Sequence, residues 1–268
     1  LDRLPVSTLR QSGFSPPIGG DFTVIGDLLY AVGISGFNYV IDISNPLSMD
    51  LVGQIPVPPS VLNTNYQKAL VDGDQWTVGT RDGFVVLDTL YGQPVFQDGL
   101  LTQAFRGELG ASGDLVFSLG SSGLQALRTE SDGTLTPLDS VSGLPLLASL
   151  AVEFPYVYVS SAERTVILDA TDPAALTVAS EFVQGGVAQQ FTLGCVRNSI
   201  LYKVLTSDAQ LIVIDASDPA NPIQTAIIPV QPNRTAVADD CGAVLYLAGR
   251  GDYETFDIAA APLAPSRI

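Results

Sequence analysis

Val213-Ile214-Asp215-Ala216-Ser217-Asp218-Pro219 is an apolar run that stops at Asp and breaks on Pro. The phrase recurs as Val40-Ile41-Asp42-Ile43-Ser44-Asn45-Pro46 and as Ile167-Leu168-Asp169-Ala170-Thr171-Asp172-Pro173. Shorter copies are Val86-Leu87-Asp88-Thr89 and Thr255-Phe256-Asp257-Ile258, and Ala126-Leu127-Arg128-Thr129 fills the same slot with Arg. Anchored at 42, 88, 128, 169, 215 and 257, the phrase advances by 46, 40, 41, 46 and 42 residues. Upstream of each copy an aromatic sits in a short apolar run: Tyr30, Trp76, Phe117, Tyr158, Tyr202 and Tyr246, at steps of 46, 41, 41, 44 and 44. Two marker series with one period define an internal repeat of about 43 residues.

Within the first unit, Phe22–Ile25, Leu28–Val32, Tyr39–Ile43 and Leu51–Ile55 are strand-length apolar runs separated by Gly, Asp and Ser. They read as strands A, B, C and D. No window carries a 3.6-residue period of helix length. Four strands per repeat is the arithmetic of a β-propeller. The expectation is an all-β, six-bladed β-propeller of four-stranded antiparallel blades, in one domain over 1–268, with seven blades as the alternative. The blades fall at about 21–66, 67–104, 105–145, 146–186, 187–231 and 232–268. Residues 1–17 remain, and Val6–Arg10 is a candidate strand to close the ring.

The Asp of the phrase ends a strand and its carboxylate can accept amides of the following turn, while Pro stops the ladder. Asp42, Asp169 and Asp215 therefore read as structural turn residues, not catalytic ones. The repeat resembles the LVIVD-repeat β-propeller family, found in secreted and surface proteins of bacteria and archaea. The match is good in the first, fourth and fifth units, and the third departs from it by lacking the Asp and the Pro. The resemblance implies a propeller and an exported setting, and it supplies no catalytic residues.

Composition narrows the functional classes. The net charge is −16 and the pI about 4.1, so phosphate backbones and anionic membranes are repelled. The acid is mainly Asp, 22 against 6 Glu, and part of it is turn chemistry. There is no His, which excludes His-based acid–base catalysis and His-ligated metals. The two lysines, Lys68 and Lys203, have no neighbours in sequence that argue for a lowered pKa, and strand alternation directs one of Tyr202 and Lys203 outward. The chain starts at Leu1 without a basic-then-apolar leader, which reads as a mature or trimmed product.

Cys195 and Cys241 lie 46 residues apart, one blade step, near equivalent A-to-B turns, and are expected to form a disulfide. The B-to-C loops carry Arg81, Asp82, Glu163, Arg164, Asp208, Arg250 and Asp252, a candidate binding rim on one propeller face. Arg250-Gly251-Asp252 matches an adhesive tripeptide but reads first as a tight turn. Asn233-Arg234-Thr235 is a glycosylation sequon, read as incidental. Phe37, Tyr66, Tyr91, Phe96 and Tyr253 are aromatics that would suit a carbohydrate or peptide partner if exposed. Asp239-Asp240 and Asp72-Gly73-Asp74 are the densest carboxylates for Ca²⁺, though they match no calcium motif.

The leading expectation is an exported cell-surface or envelope binding or structural module without intrinsic catalysis. It takes a protein or glycan partner and needs no cofactor and no metal. The rival is a propeller hydrolase or lyase using Ca²⁺ and carboxylates in a central channel.

Overall fold

The computed structural model describes residues 18–25, 27–33, 37–45, 50–56, 68–72, 75–80, 83–88, 95–100, 108–120, 122–130, 135–145, 148–183, 191–232, 235–236, 242–248 and 253–268. Every regular element among them is a β-strand. The first sheet is β1 (Ile18–Ile25), β2 (Leu28–Gly33), β3 (Phe37–Asp42) and β4 (Asp50–Pro56). The second is β5 (Lys68–Asp72), β6 (Gln75–Thr80), β7 (Gly83–Asp88) and β8 (Val95–Leu100). The third is β9 (Leu109–Ser112), β10 (Leu115–Gly120), β11 (Gly123–Thr129) and β12 (Leu135–Val141). The fourth is β13 (Ser149–Glu153), β14 (Tyr156–Ser160), β15 (Arg164–Asp169) and β16 (Thr177–Val183). The fifth is β17 (Phe191–Arg197), β18 (Ile200–Leu205), β19 (Gln210–Asp215) and β20 (Ile223–Pro229). The last is β21 (Thr235–Ala236), β22 (Val244–Ala248), β23 (Tyr253–Asp257) and β24 (Ser266–Arg267).

In every sheet the spatial order is the order in sequence, the up-and-down meander of a propeller blade. The fold is a β-propeller of antiparallel four-stranded blades. The expectation of six blades, with seven as the alternative, is corrected to five full blades. Five sheets have strands of four to eight residues, whereas the last keeps only two residues in β21 and two in β24. Pro262 and Pro265 remove amide donors just before β24, which pairs only through Phe256↔Arg267 and Asp257↔Ser266. Among the described residues there is no seventh sheet, and the candidate closing strand Val6–Arg10 lies outside them.

The repeat markers have clear structural roles. Tyr30 pairs with Val40, Tyr158 with Ile167 and Tyr202 with Val213, each two residues before the turn Asp. Tyr30, Phe117, Tyr158 and Tyr202 are buried, but Tyr246 in the abbreviated last sheet is 47% exposed. A further regularity was not legible beforehand. The C–D ladder is bulged at the same place in four blades, at Val40/Ile41, Val86/Leu87, Ile167/Leu168 and Val213/Ile214. Such a bulge bends strand D and sharpens its twist just after the C-to-D turn.

The chain divides into two compact units, 1–121 with 127–137 and 122–126 with 138–268, the boundary falling inside the third sheet. In the first unit β5 lies beside β1 and β9; in the second β17 lies beside β13 and β21. The second unit shows why the inner strands read as apolar runs. Tyr158, Ile167, Leu201, Leu205, Ile212 and Ile214 form one layer between the fourth and fifth blades. Tyr202, Val204, Leu211, Val213, Leu245, Leu247 and Phe256 form the next, between the fifth and the last. Strand β18 is thus buried on both faces, while the outer strands β16 and β20 are largely exposed.

Candidate functional site

At the end that carries the A-to-B and C-to-D turns, carboxylates of the first, fourth, fifth and last sheets are spent on backbone amides. Asp42 accepts the Ser44 amide at 2.8 Å, Asp169 the Thr171 amide at 2.8 Å and Asp215 the Ser217 amide at 2.9 Å. Hydrogen bonds from Ser44 and Thr171 hold the carboxyls of Asp42 and Asp169 below the usual range. In the same phrases Asp172 and Asp218 cap the amides of Ala174 and Ala220, and Asp257 caps those of Ala259 and Ala260. One residue beyond each anchor, an amide returns to the A-to-B turn: Ile43 to the Asp27 carbonyl, Thr129 to Asp114, Ala170 to Pro155, Ala216 to Ser199 and Ile258 to Ala243. The third blade keeps this bond, and Arg128, in place of Asp, forms a 3.1 Å ion pair with Asp114.

Neighbouring blades of the second unit are stitched by the same chemistry. Glu153, at the end of β13, accepts the amides of Asn198 and Ser199, both at 2.6 Å. Arg197 donates to the Gly242 carbonyl. Asp139 accepts the Leu176 amide at 2.7 Å, Ser180 donates to the Pro219 carbonyl at 2.6 Å and Tyr202 to the Pro262 carbonyl at 2.9 Å. Glu254, nearly buried, accepts the Gln231 amide and lies 3.5 Å from Arg267.

The opposite end carries the predicted rim. Glu163 and Arg164 share the hairpin between β14 and β15, and Glu163 is exposed. Ser161 organises this hairpin: its amide donates to the Arg164 carbonyl at 2.8 Å, and its hydroxyl accepts the amides of Glu163 at 3.3 Å and Arg164 at 3.2 Å. Below it, the Ser160 and Thr165 hydroxyls bond each other at 2.9 Å. Arg164 is engaged within the fold, at 2.8 Å from Glu181 and 3.1 Å from the Gly143 carbonyl. Asp208 sits exposed on the equivalent turn of the fifth blade, beside Ala209 at φ 53°. Arg81, Asp82, Arg250 and Asp252 lie outside the described residues, as do Tyr66, Tyr91, Asp74, Asn233, Asp239, Asp240 and Cys241. Phe37, Phe96, Asp72 and Tyr253 fall in strands whose backbone alone is described. Cys195 is buried near the end of β17, and no described cysteine is free. Among the described residues no group of three or more Cys, Asp or Glu side chains is gathered as for a metal ion.

Lys203 was misread in sequence. It is fully buried within β18, and its ammonium donates to the Ser161 carbonyl of the preceding blade. Burial pushes its amine down to about 8. Alternation turns one of two neighbours outward only on a strand with one wet face, and β18 has none. The signal was present: Ile200-Leu201-Tyr202-Lys203-Val204-Leu205 is apolar at both parities, so Lys203 had no outward side to take.

The sequence matches the LVIVD repeat over residues 20–56, which span the first blade, and over 204–228 in the fifth. These two stretches carry the LVIVD repeat. No curated protein matches it significantly. Among solved structures, the chain resembles a functionally unknown protein from Desulfotomaculum acetoxidans (TM-score 0.75, 11% identity, 91% of this chain and 79% of that one). A protein from Lactobacillus plantarum is similar at TM-score 0.62 and 18% identity, over 77% of this chain and 69% of that one. Hsv2p of Kluyveromyces lactis is similar at TM-score 0.63 and 11% identity, over 91% and 81%. At these identities the likeness is one of fold.

Proposed function

We propose that this protein is a non-enzymatic binding or structural module, exported to a cell surface or envelope, which engages a protein or glycan through the B-to-C rim. The observation that carries the reading is where the acid groups go. Asp42, Asp169, Asp215 and Glu153 are bound to backbone amides at the turn end, while the rim presents Glu163, from a hairpin closed by its own hydrogen bonds, and Asp208 to solvent. A scaffold that spends its carboxylates on its own turns and varies its opposite loops suits recognition better than turnover. The excess of negative charge favours a basic partner surface and salt-sensitive capture.

The exported setting accords with a Cys195–Cys241 bridge, to be read by mass spectrometry of non-reduced peptides; both thiols free in protein purified without reductant would exclude it. The function is tested by capture from native surface extract on immobilised protein, comparing wild type with Glu163→Lys plus Asp208→Lys and with the turn-end control Asp218→Lys. Loss with the rim pair alone supports the reading, and equal capture by all three refutes it. A parallel screen of esterase, lactonase, glycosidase and lyase substrates, with and without Ca²⁺, addresses the enzymatic rival: turnover abolished by mutating a carboxylate overturns the proposal.

A further inference from the structure

A lysine with no exposed surface, in a chain that has only two, invites the question of what its amine holds. Lys203 rises from the fifth blade, and its ammonium meets the carbonyl of Ser161, the residue around which the rim hairpin of the fourth blade closes. Ser161 gathers that hairpin through its amide and its hydroxyl, and Arg164 ties it outward to Glu181 and the Gly143 carbonyl. The hairpin is therefore gripped from the adjacent blade as well as from its own.

We propose that Lys203 is the positioning residue of the Ser161–Arg164 hairpin and makes the order of this part of the rim depend on pH. Among the described residues, the ionisable groups on the surrounding elements are Glu153 on β13, Tyr156 and Tyr158 on β14, Glu163 and Arg164 in the hairpin, Asp169 on β15, Glu181 on β16, Arg197 on β17, Tyr202 beside Lys203 on β18, and Asp208 and Asp215 at the two ends of β19. Of these, Arg164 is paired with Glu181. Lys203 is the lysine of this seam, and its burial against the Ser161 carbonyl favours the uncharged amine.

The direction follows from linkage. In the closed seam the amine titrates near 8, and in water near 10.4. The closed state binds fewer protons than any opened state that wets the amine, so closure gains as pH rises through this window and is weakest below 8. Taking those two values, the opening constant falls about tenfold between pH 7 and pH 9. The hydrogen bond itself survives deprotonation, because a neutral amine still has hydrogens to donate.

The test is millisecond-labelling hydrogen exchange on the whole chain, reading a peptide over 160–165 against one over 170–176 at the blade's other end. The ratio cancels the intrinsic rise of exchange with pH. In wild type the protection of 160–165 relative to 170–176 should rise about tenfold from pH 7 to 9. Lys203→Met should abolish the slope and, at pH 9, leave the hairpin less protected than wild type. Lys203→Arg, permanently charged, should keep the hairpin anchored but flat with pH. A flat wild-type ratio, the same slope in Lys203→Met, or equal protection of wild type and Lys203→Met at pH 9 overturns the proposal. Any bearing on capture rests on the function proposed above, but this measurement needs no partner. If capture fails and the slope persists, only the binding reading falls.

Discussion

Glu153 gives the sharpest test of how blades are joined. Its two oxygens take the amides of Asn198 and Ser199 at 2.6 Å each. Those residues sit at φ 48° and 61°, between the paired residues Arg197 and Ile200. This is the two-residue hairpin whose central positions both need positive φ, which Asn tolerates better than Ser. A hydrogen bond to a charged group contributes about 1.5–3 kcal/mol in a buried setting. Asn198 is exposed and Ser199 only half-buried, so about 1 kcal/mol apiece is the discounted figure. Glu153→Ala should therefore cost about 2 kcal/mol, or roughly 4–8 °C in Tm for a chain of this length. Glu153→Gln should fall between, since its amide turns one acceptor into a donor facing another donor. Thermal unfolding followed by circular dichroism reads the loss, with Glu163→Ala on the exposed rim as control. If Glu153→Ala costs no more than Glu163→Ala, the carboxylate is not a staple and the account of the turn end is wrong.

Three other outcomes follow from the same structure. Burial raises Tyr158 and Tyr202 to about 12; the unfolded chain loses these protons first, so stability should fall between pH 10 and 12 by roughly 1–2 kcal/mol per tyrosine once solvent screening is discounted, and Tm against pH should be flatter in Tyr158→Phe and Tyr202→Phe. Gly123→Ala should cost several kcal/mol, about 3 or more, because Gly123 has φ +128° and a Cβ would lie 2.1 Å from the Val141 carbonyl oxygen; urea midpoints should instead show Gly113→Asn nearly neutral, since that site has φ +60° and open space. Asp169→Ala should cost below about 1 kcal/mol in urea unfolding, since the capped turn is exposed; a larger loss would assign Asp169 a role beyond its turn.

What the sequence disclosed was whatever the repeat copies. Asp42, Asp169 and Asp215 do the same local work in each blade, so their spacing carried the period, and the buried aromatics Tyr30, Phe117, Tyr158 and Tyr202 carried it a second time. What stayed hidden depends on neighbours that are remote in sequence. Glu153 meets Asn198 and Ser199 across a blade step, and no motif marks it. Lys203 was misplaced because half-buried strands were assumed where a propeller's inner strands are covered on both sides. The number of full blades was overcounted because the last repeat keeps its markers, Tyr246 and Asp257, while its outer strands shrink to two residues. Sequence markers report the B and C strands, and the A and D strands must be seen.

The outer strands also bear on the unusual charge. Strand D is the free edge of each blade, and an edge with unpaired amides and apolar side chains templates association. Val178 and Val183 on β16, and Ile223 and Ile227 on β20, are all more than half exposed, and β20 carries no charged residue. Proteins commonly blunt such edges with lysine, which this chain almost lacks. Two other devices stand in its place. The recurring bulge at Leu168 and Ile214 twists β16 and β20 out of the flat register that a second strand would need. The −16 net charge sets copies of the chain to repel one another before any edge can meet. The second device fails in high salt, whereas the bulge does not. The acidic balance of the chain thus does architectural work of its own, because the same charge keeps the exposed edges of separate copies apart.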